Sequence, residues 1–162
     1  MISTRLAPLL SLLLSAAIFG FFYAWVCSTM WGLDAADPAV AIQAMQAMNA
    51  SVRNAVFFPA FFLTPVVLAL TSGLLFRDHQ RGAATCFGLA AGVYLLGGFG
   101  VTVLFNVPMN EALAAVIVPE ATETANRIWQ DYSGRWQFLN QIRTVASGLA
   151  VLLAGAGLLR IR

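Results

Sequence analysis

The chain has 162 residues, of which 60% are hydrophobic and 10% charged, with a net charge of +2 and a mean hydropathy of +0.80. Soluble domains carry about 25% charged residues, so the composition excludes an ordinary soluble enzyme and implies an integral membrane protein. All nine cations are arginine and lie scattered along the chain, which gives no ground for a nucleic-acid partner.

Four apolar stretches, at about residues 6–27, 55–76, 83–105 and 138–159, are each long enough to cross ~30 Å of hydrocarbon. They predict an all-α fold: a four-transmembrane-helix bundle forming one domain over residues 1–162, with further short helices in outer segments 28–54 and 106–137. The first stretch follows Arg5, but its apolar run continues through Phe19, Phe21, Phe22, Tyr23 and Trp25. That is longer than a signal-peptide core, so it reads as a span.

Arg5, Arg77, Arg81, Arg160 and Arg162 flank one side of such a bundle, and six of the seven acids flank the other. Arginine bias marks the cytoplasmic side, so both termini are expected in the cytoplasm, in a bacterial inner membrane. Trp25, Trp31, Trp129 and Trp136 fall near the outer boundary and read as an aromatic belt.

Within the first outer segment, Asp37-Pro38 has the pattern of an N-cap followed by a first helical residue. Ile42, Met45, Met48 and Val52 recur at helical spacing after it. The pattern predicts a helix running on into the second span, bent by Pro59 and Pro65. In the second segment Pro108 disfavours helix at Val107, which makes Asn106 a cap. A short helix is expected after Pro108, and a separate one over about residues 121–132. The inner turn, residues 77–82, is short. Rows of small residues, Ala84-Gly88-Gly92 and Ala146-Ala150-Ala154, predict close packing of spans three and four.

Cys27 and Cys86 are expected at opposite membrane faces, too far apart for a bridge. Neither they nor His79, the only histidine, belongs to a metal-ligating cluster. No metal and no cofactor is expected.

The polar residue that most needs an explanation is Arg143. A guanidinium keeps its charge at any ordinary pH, and placing it in hydrocarbon costs at least ~2.5–3.5 kcal/mol on insertion scales. Trp136, Asn140, Arg143, Thr144 and Ser147 share one helical face. Asn106 and Asn110 close span three, Glu111 follows them, and Arg53-Asn54 stands at the mouth of span two. Arg143 is therefore expected to face an enclosed cavity, hydrogen-bonded to Asn140 and to Asn106 or Asn110; the alternative, that span four starts later and Arg143 snorkels to the headgroups, leaves only residues 144–159 to cross the membrane. There it would hold an anion or a developing oxyanion. The expected catalytic set is Arg143, Asn140, Asn110, Asn106 and Glu111. Trp136, Tyr23, Asn54, Phe58 and Trp129 are expected to contact a ligand.

Asn106-Val-Pro-x-Asn110 followed by Trp129-x6-Trp136-x3-Asn140-x2-Arg143-Thr144 resembles the anthrone oxygenase-like family of small membrane proteins. The likeness extends from Gly20-Phe-Phe-Tyr-Ala-Trp25 to about Ser147. It implies a four-span bundle and, from the fungal members, oxidation of an anthrone to an anthraquinone by O₂ without an obvious metal or flavin. By that analogy Arg143 and the asparagines would hold the enolate oxygen, and the aromatic side chains would sandwich the rings. Glu111 or Asp34 is the nearest candidate base, while His79 is on the wrong face.

Two functions compete at this level. One is a cofactor-independent oxygenase of an anthrone-like or phenolic aromatic. The other is a non-enzymatic membrane protein that binds a lipophilic small molecule or a protein partner. A transporter is disfavoured by the absence of repeat symmetry. The partners expected are the lipid bilayer, a hydrophobic aromatic and O₂. Oligomeric state is not legible.

Overall fold

The computed structural model describes residues 3–161; Arg162 and the side chain of Arg5 lie outside the described residues. The described residues form seven α-helices: α1 Ser3–Ala24, α2 Met30–Asp34, α3 Pro38–Ser51, α4 Phe57–Arg77, α5 Arg81–Val93, α6 Val107–Ala114 and α7 Thr122–Leu158. Wide π-helical turns join α1 to α2 over Trp25–Thr29, and α5 to α6 over Tyr94–Gly100 and Thr102–Asn106. No strand occurs among the described residues.

Four continuous helical runs, Leu6–Asp34, Phe57–Arg77, Arg81–Ala114 and Thr122–Leu158, are long and apolar enough to cross a membrane. The protein is an integral membrane protein built as a four-helix bundle. α1 packs on α4, α4 on α5, α5 on α7 and α7 back on α1, closing a ring. At one end, the turn end, α4 and α5 are joined through residues 78–80. At the other, the cap end, α2, α3 and α6 fold around the first half of α7. At ~1.5 Å per residue, the 37 residues of α7 exceed a ~30 Å bilayer. Its first turns carry the cap.

There are two cores. The bundle core includes Ile18, Phe22, Phe61, Leu68, Phe87, Tyr94, Ala150 and Ala154. The cap core gathers Met30, Ile42, Met45, Leu113, Trp129, Tyr132 and Trp136. Small residues set the approach of α7 to the third span: a Cβ on Gly97 would sit 2.5 Å from Cβ of Ala146, so the helices touch there only because position 97 is glycine. Pro65 lies inside α4 and has no N–H for the Phe61 carbonyl four residues back. Tyr94 Oη donates to that carbonyl instead, at 3.0 Å. In hydrocarbon such a replacement matters, since water cannot supply it.

Asp37 caps α3 as its sequence predicts, with Oδ1 accepting from the N–H groups of Ala39 and Val40 at 2.9 and 3.4 Å. Other local expectations are corrected. α3 does not run into the second span. It ends at Ser51, and Asn54 Oδ1 accepts from Val56 N and Phe57 N at 2.8 and 2.9 Å, starting α4 afresh. Asn106 is no cap: Val107 is helical at φ −61°, ψ −51°, and its N–H reaches back five residues to the Thr102 carbonyl. The wider turn shifts the carbonyl that the Pro108 ring would otherwise strike, so the helix survives the proline. The helix expected over 121–132 is not separate but the beginning of α7. The tryptophans do not form a belt. Trp129 and Trp136 are buried in the cap core, while Trp31 is 67% exposed.

Candidate functional site

The polar face of α7 points inward as its spacing predicts: Ser133, Trp136, Asn140, Arg143, Thr144 and Ser147 are all buried. Thr144 and Ser147 hydroxyls return to carbonyls of α7 itself, Asn140 at 2.8 Å and Arg143 at 2.7 Å, which makes them structural. Arg143 is only 5% exposed. Its Nη2 donates to Asn140 Oδ1 at 2.9 Å and its Nη1 to Thr102 Oγ1 at 3.4 Å. Its guanidinium lies 4.7 Å from the Phe22 ring centre and 5.0 Å from that of Trp136. Desolvated cation–π contacts are worth ~2 kcal/mol or more, so the two rings offset part of the cost of burial. Among the described residues no carboxylate pairs with Arg143, and its Nε has no hydrogen-bond partner.

The hydrogen-bond partners of Arg143 differ from expectation. Asn140 is one, but neither Asn106 nor Asn110 bonds to it. Asn110 Oδ1 instead accepts from Trp136 Nε1 at 3.0 Å and from Tyr132 Oη at 2.8 Å. Those α7 side chains stand further toward the cap, one and two turns beyond Asn140. Asn106 is fully buried with neither amide atom bonded among the described residues. Sequence reasoning missed Thr102, because a lone threonine in an apolar span reads as bonding to its own helix. Thr102 does that too, donating to the Gly98 carbonyl at 2.7 Å.

Beside the guanidinium is a cavity of about 240 Å³. Its wall is aromatic: Phe21, Phe22 and Trp25 from the first span, Phe57, Phe58, Phe61 and Phe62 from α4, and Trp136 from α7. Phe57 stacks on Phe61 at 5.3 Å and Phe61 on Phe99 at 5.1 Å. Thr102, Asn110 and Arg143 supply polar lining. At the cap end the cavity is bordered by Arg53 and Glu111, both mostly exposed and paired at 3.5 Å.

The expected site residues thus divide into two groups. Arg143, Trp136, Asn110, Glu111 and Phe58 line the cavity, and Asn140 supports Arg143 from behind while donating to the Phe22 carbonyl at 3.1 Å. Tyr23, Asn54, Trp129 and Asn106 do not line it. Tyr23 is half exposed and stacks on Phe19, Asn54 starts α4, and Trp129 Nε1 donates to Asp34 Oδ1 at 2.9 Å. Asp34 also accepts from Ser133 Oγ at 2.7 Å and Gln137 Nε2 at 2.8 Å. It ties α2 to α7 and does not line the cavity, so of the two candidate bases only Glu111 borders it. Among the described residues no three His, Cys, Asp or Glu side chains gather as a metal site.

The chemical capacity of the arrangement is narrow and clear. The cavity is walled by aromatic rings, with the Arg143 guanidinium on its lining and the Arg53–Glu111 pair at its cap end. The family model described as anthrone oxygenase matches residues 45–153, a stretch that holds Glu111, the α4 phenylalanines, Trp136 and Arg143. No curated protein and no solved structure matches the chain.

Proposed function

The chain belongs to the anthrone oxygenase family, and on that basis we propose that it is a cofactor-independent oxygenase acting on an anthrone-like or phenolic aromatic at the Arg143 cavity. The observation that carries this reading is the buried guanidinium, which has no anion of its own and opens on an aromatic-walled space. A cation so placed favours a ligand oxygen that gains negative charge. The cavity is smaller than the ~300–1,000 Å³ typical of drug-sized ligand sites, which suits a compact ring system.

The reaction divides among few groups. Glu111 takes a proton from the acidic ring methylene, and the electron pair moves onto the ring carbonyl as an enolate held by Arg143. The enolate transfers electrons to O₂ and a carbon–oxygen bond forms at the former methylene. Glu111 returns its proton to the resulting peroxide. The oxygen–oxygen bond then breaks with loss of the remaining hydrogen on that carbon, leaving a second carbonyl and one water. Substrate carbon is oxidised, O₂ is reduced, and both oxygen atoms are accounted for.

The test is oxygen uptake with dithranol by the purified protein in lipid. The expected result is an enzyme-dependent rate that Arg143→Ala lowers by ~10²–10³-fold. Equal rates with and without protein would overturn the oxygenase reading. One observation favours a second reading, a non-enzymatic ligand-binding protein: among the described residues Glu111 is the only carboxylate on the cavity, and it is already paired with Arg53. Binding of a stable anthraquinone without oxygen uptake would select it.

In the orientation we propose, both termini and the turn end lie in the cytoplasm of a bacterium, and the cap faces outward from the inner membrane. Arg77, Arg81 and Arg160 at the turn end support this, and reporter fusions at residue 79 and within residues 116–120 would check it.

A further inference from the structure

Beyond the cavity wall lies a second space of about 500 Å³, a groove between the first span and the start of α4 that is closed at its cap side by the end of α3 and the turn at residues 52–56. Its floor is cut by small residues, Ala17 on α1 and Ala60 on α4, and it is overwhelmingly apolar. It shares Phe21, Trp25, Met48, Val52 and Phe57 with the Arg143 cavity. Those five side chains therefore form a partition one residue thick, with the groove on one face and the cavity on the other. The centre of the partition is the Phe21–Phe57 ring pair, with centroids 4.8 Å apart and planes tilted by 52°.

Its α1 and α4 walls belong to membrane-crossing runs, while the end of α3 and the turn at residues 52–56 form its cap-side wall. Phe57 is the first residue of α4, directly after the turn at residues 52–56. Phe57 is partly buried and packs on Phe21 and Phe61, and two side-chain torsions set where its ring lies. A change of the Phe57 rotamer away from Phe21 is the smallest movement that would open the partition between groove and cavity. The aqueous border of the cavity is formed by the charged pair Arg53–Glu111, a poor path for a molecule that partitions into lipid.

We propose that this groove is a lateral portal: a planar lipophilic aromatic enters the Arg143 cavity from the bilayer between α1 and α4, past the Phe21–Phe57 partition. This rests on the cavity binding such a molecule, as proposed above.

Ala60 and Ala17 line the groove but not the cavity, so they separate access from affinity. The protein is placed in phosphatidylcholine vesicles, with 1,8-dihydroxyanthraquinone as a redox-stable probe. Quenching of tryptophan fluorescence is followed by stopped flow. Ala60→Trp is expected to slow association and dissociation together by about tenfold, equivalent to ~1.4 kcal/mol of added barrier, with Kd unchanged. Ala17→Trp repeats the test from the other helix. Wild-type exchange rates in both folded variants, or rates that respond instead to Arg53→Gln, would overturn the portal while leaving the cavity's ligand intact. Absence of any saturable quenching in the wild type would remove the underlying binding reading, and the portal with it.

Discussion

Arg143 and Asp34 are opposite solutions to the problem of placing a charge near apolar surroundings. Asp34 sits on an exposed part of the cap, yet three donors from α7 surround its carboxylate. Arg143 is buried in the bundle, yet no anion meets it, and one of its nitrogens has no partner among the described residues. A charge whose bonding capacity is filled by its own chain has nothing left to offer a ligand. One left partly unfilled beside a cavity does. The difference separates a structural tie from a candidate site more sharply than burial or residue type.

The contrast can be broken at either end. The largest effect is expected from Arg143→Ala. Loss of a preorganised oxyanion partner lowers turnover by ~10²–10³-fold, read as oxygen uptake with dithranol. The unfolding midpoint should fall less than that of the Asp34 variant, because an unpaired buried charge contributes little net stability. Asp34→Ala should behave in the reverse way. It strips three donors of their acceptor and lowers stability by ~1–3 kcal/mol in a detergent unfolding assay, while the rate per folded molecule stays at the wild-type value. A loss of rate in that variant would place Asp34 in the site after all.

Two smaller effects sharpen the same distinction. Tyr94→Phe leaves the Phe61 carbonyl, already deprived of a donor by Pro65, without its hydrogen bond. About 1 kcal/mol of stability should be lost, again measured by unfolding, with Kd for the anthraquinone barely altered. Arg53→Gln removes an exposed ion pair worth at most ~1 kcal/mol. It should change affinity less than threefold, and titration at two salt concentrations would show whatever salt dependence exists vanish with it.

Much of this was legible in the chain. Hydropathy and length gave the four spans, and the 3.6-residue spacing put Trp136, Asn140 and Arg143 on one inward face. Asp37-Pro38 marked a helix start. Pro108 misled, because the rule that a residue before proline avoids helix assumes an ordinary α-turn, and here the turn is wider. Asn54 was read as a ligand contact, although its side chain is occupied in restarting the backbone. The tryptophans misled for a different reason. An indole near a membrane boundary is equally suited to lipid headgroups and to a cap folded over that boundary.

The sequence by itself determined an all-helical membrane bundle with a buried arginine, because those follow from local composition and period. Which oxygens meet that arginine, which carboxylate borders the cavity, and which side chains part the cavity from the neighbouring groove were decided only by tertiary packing. Each depends on the depth and rotation of helices far apart in sequence, fixed by contacts such as Gly97 against Ala146 and Tyr94 against the Phe61 carbonyl.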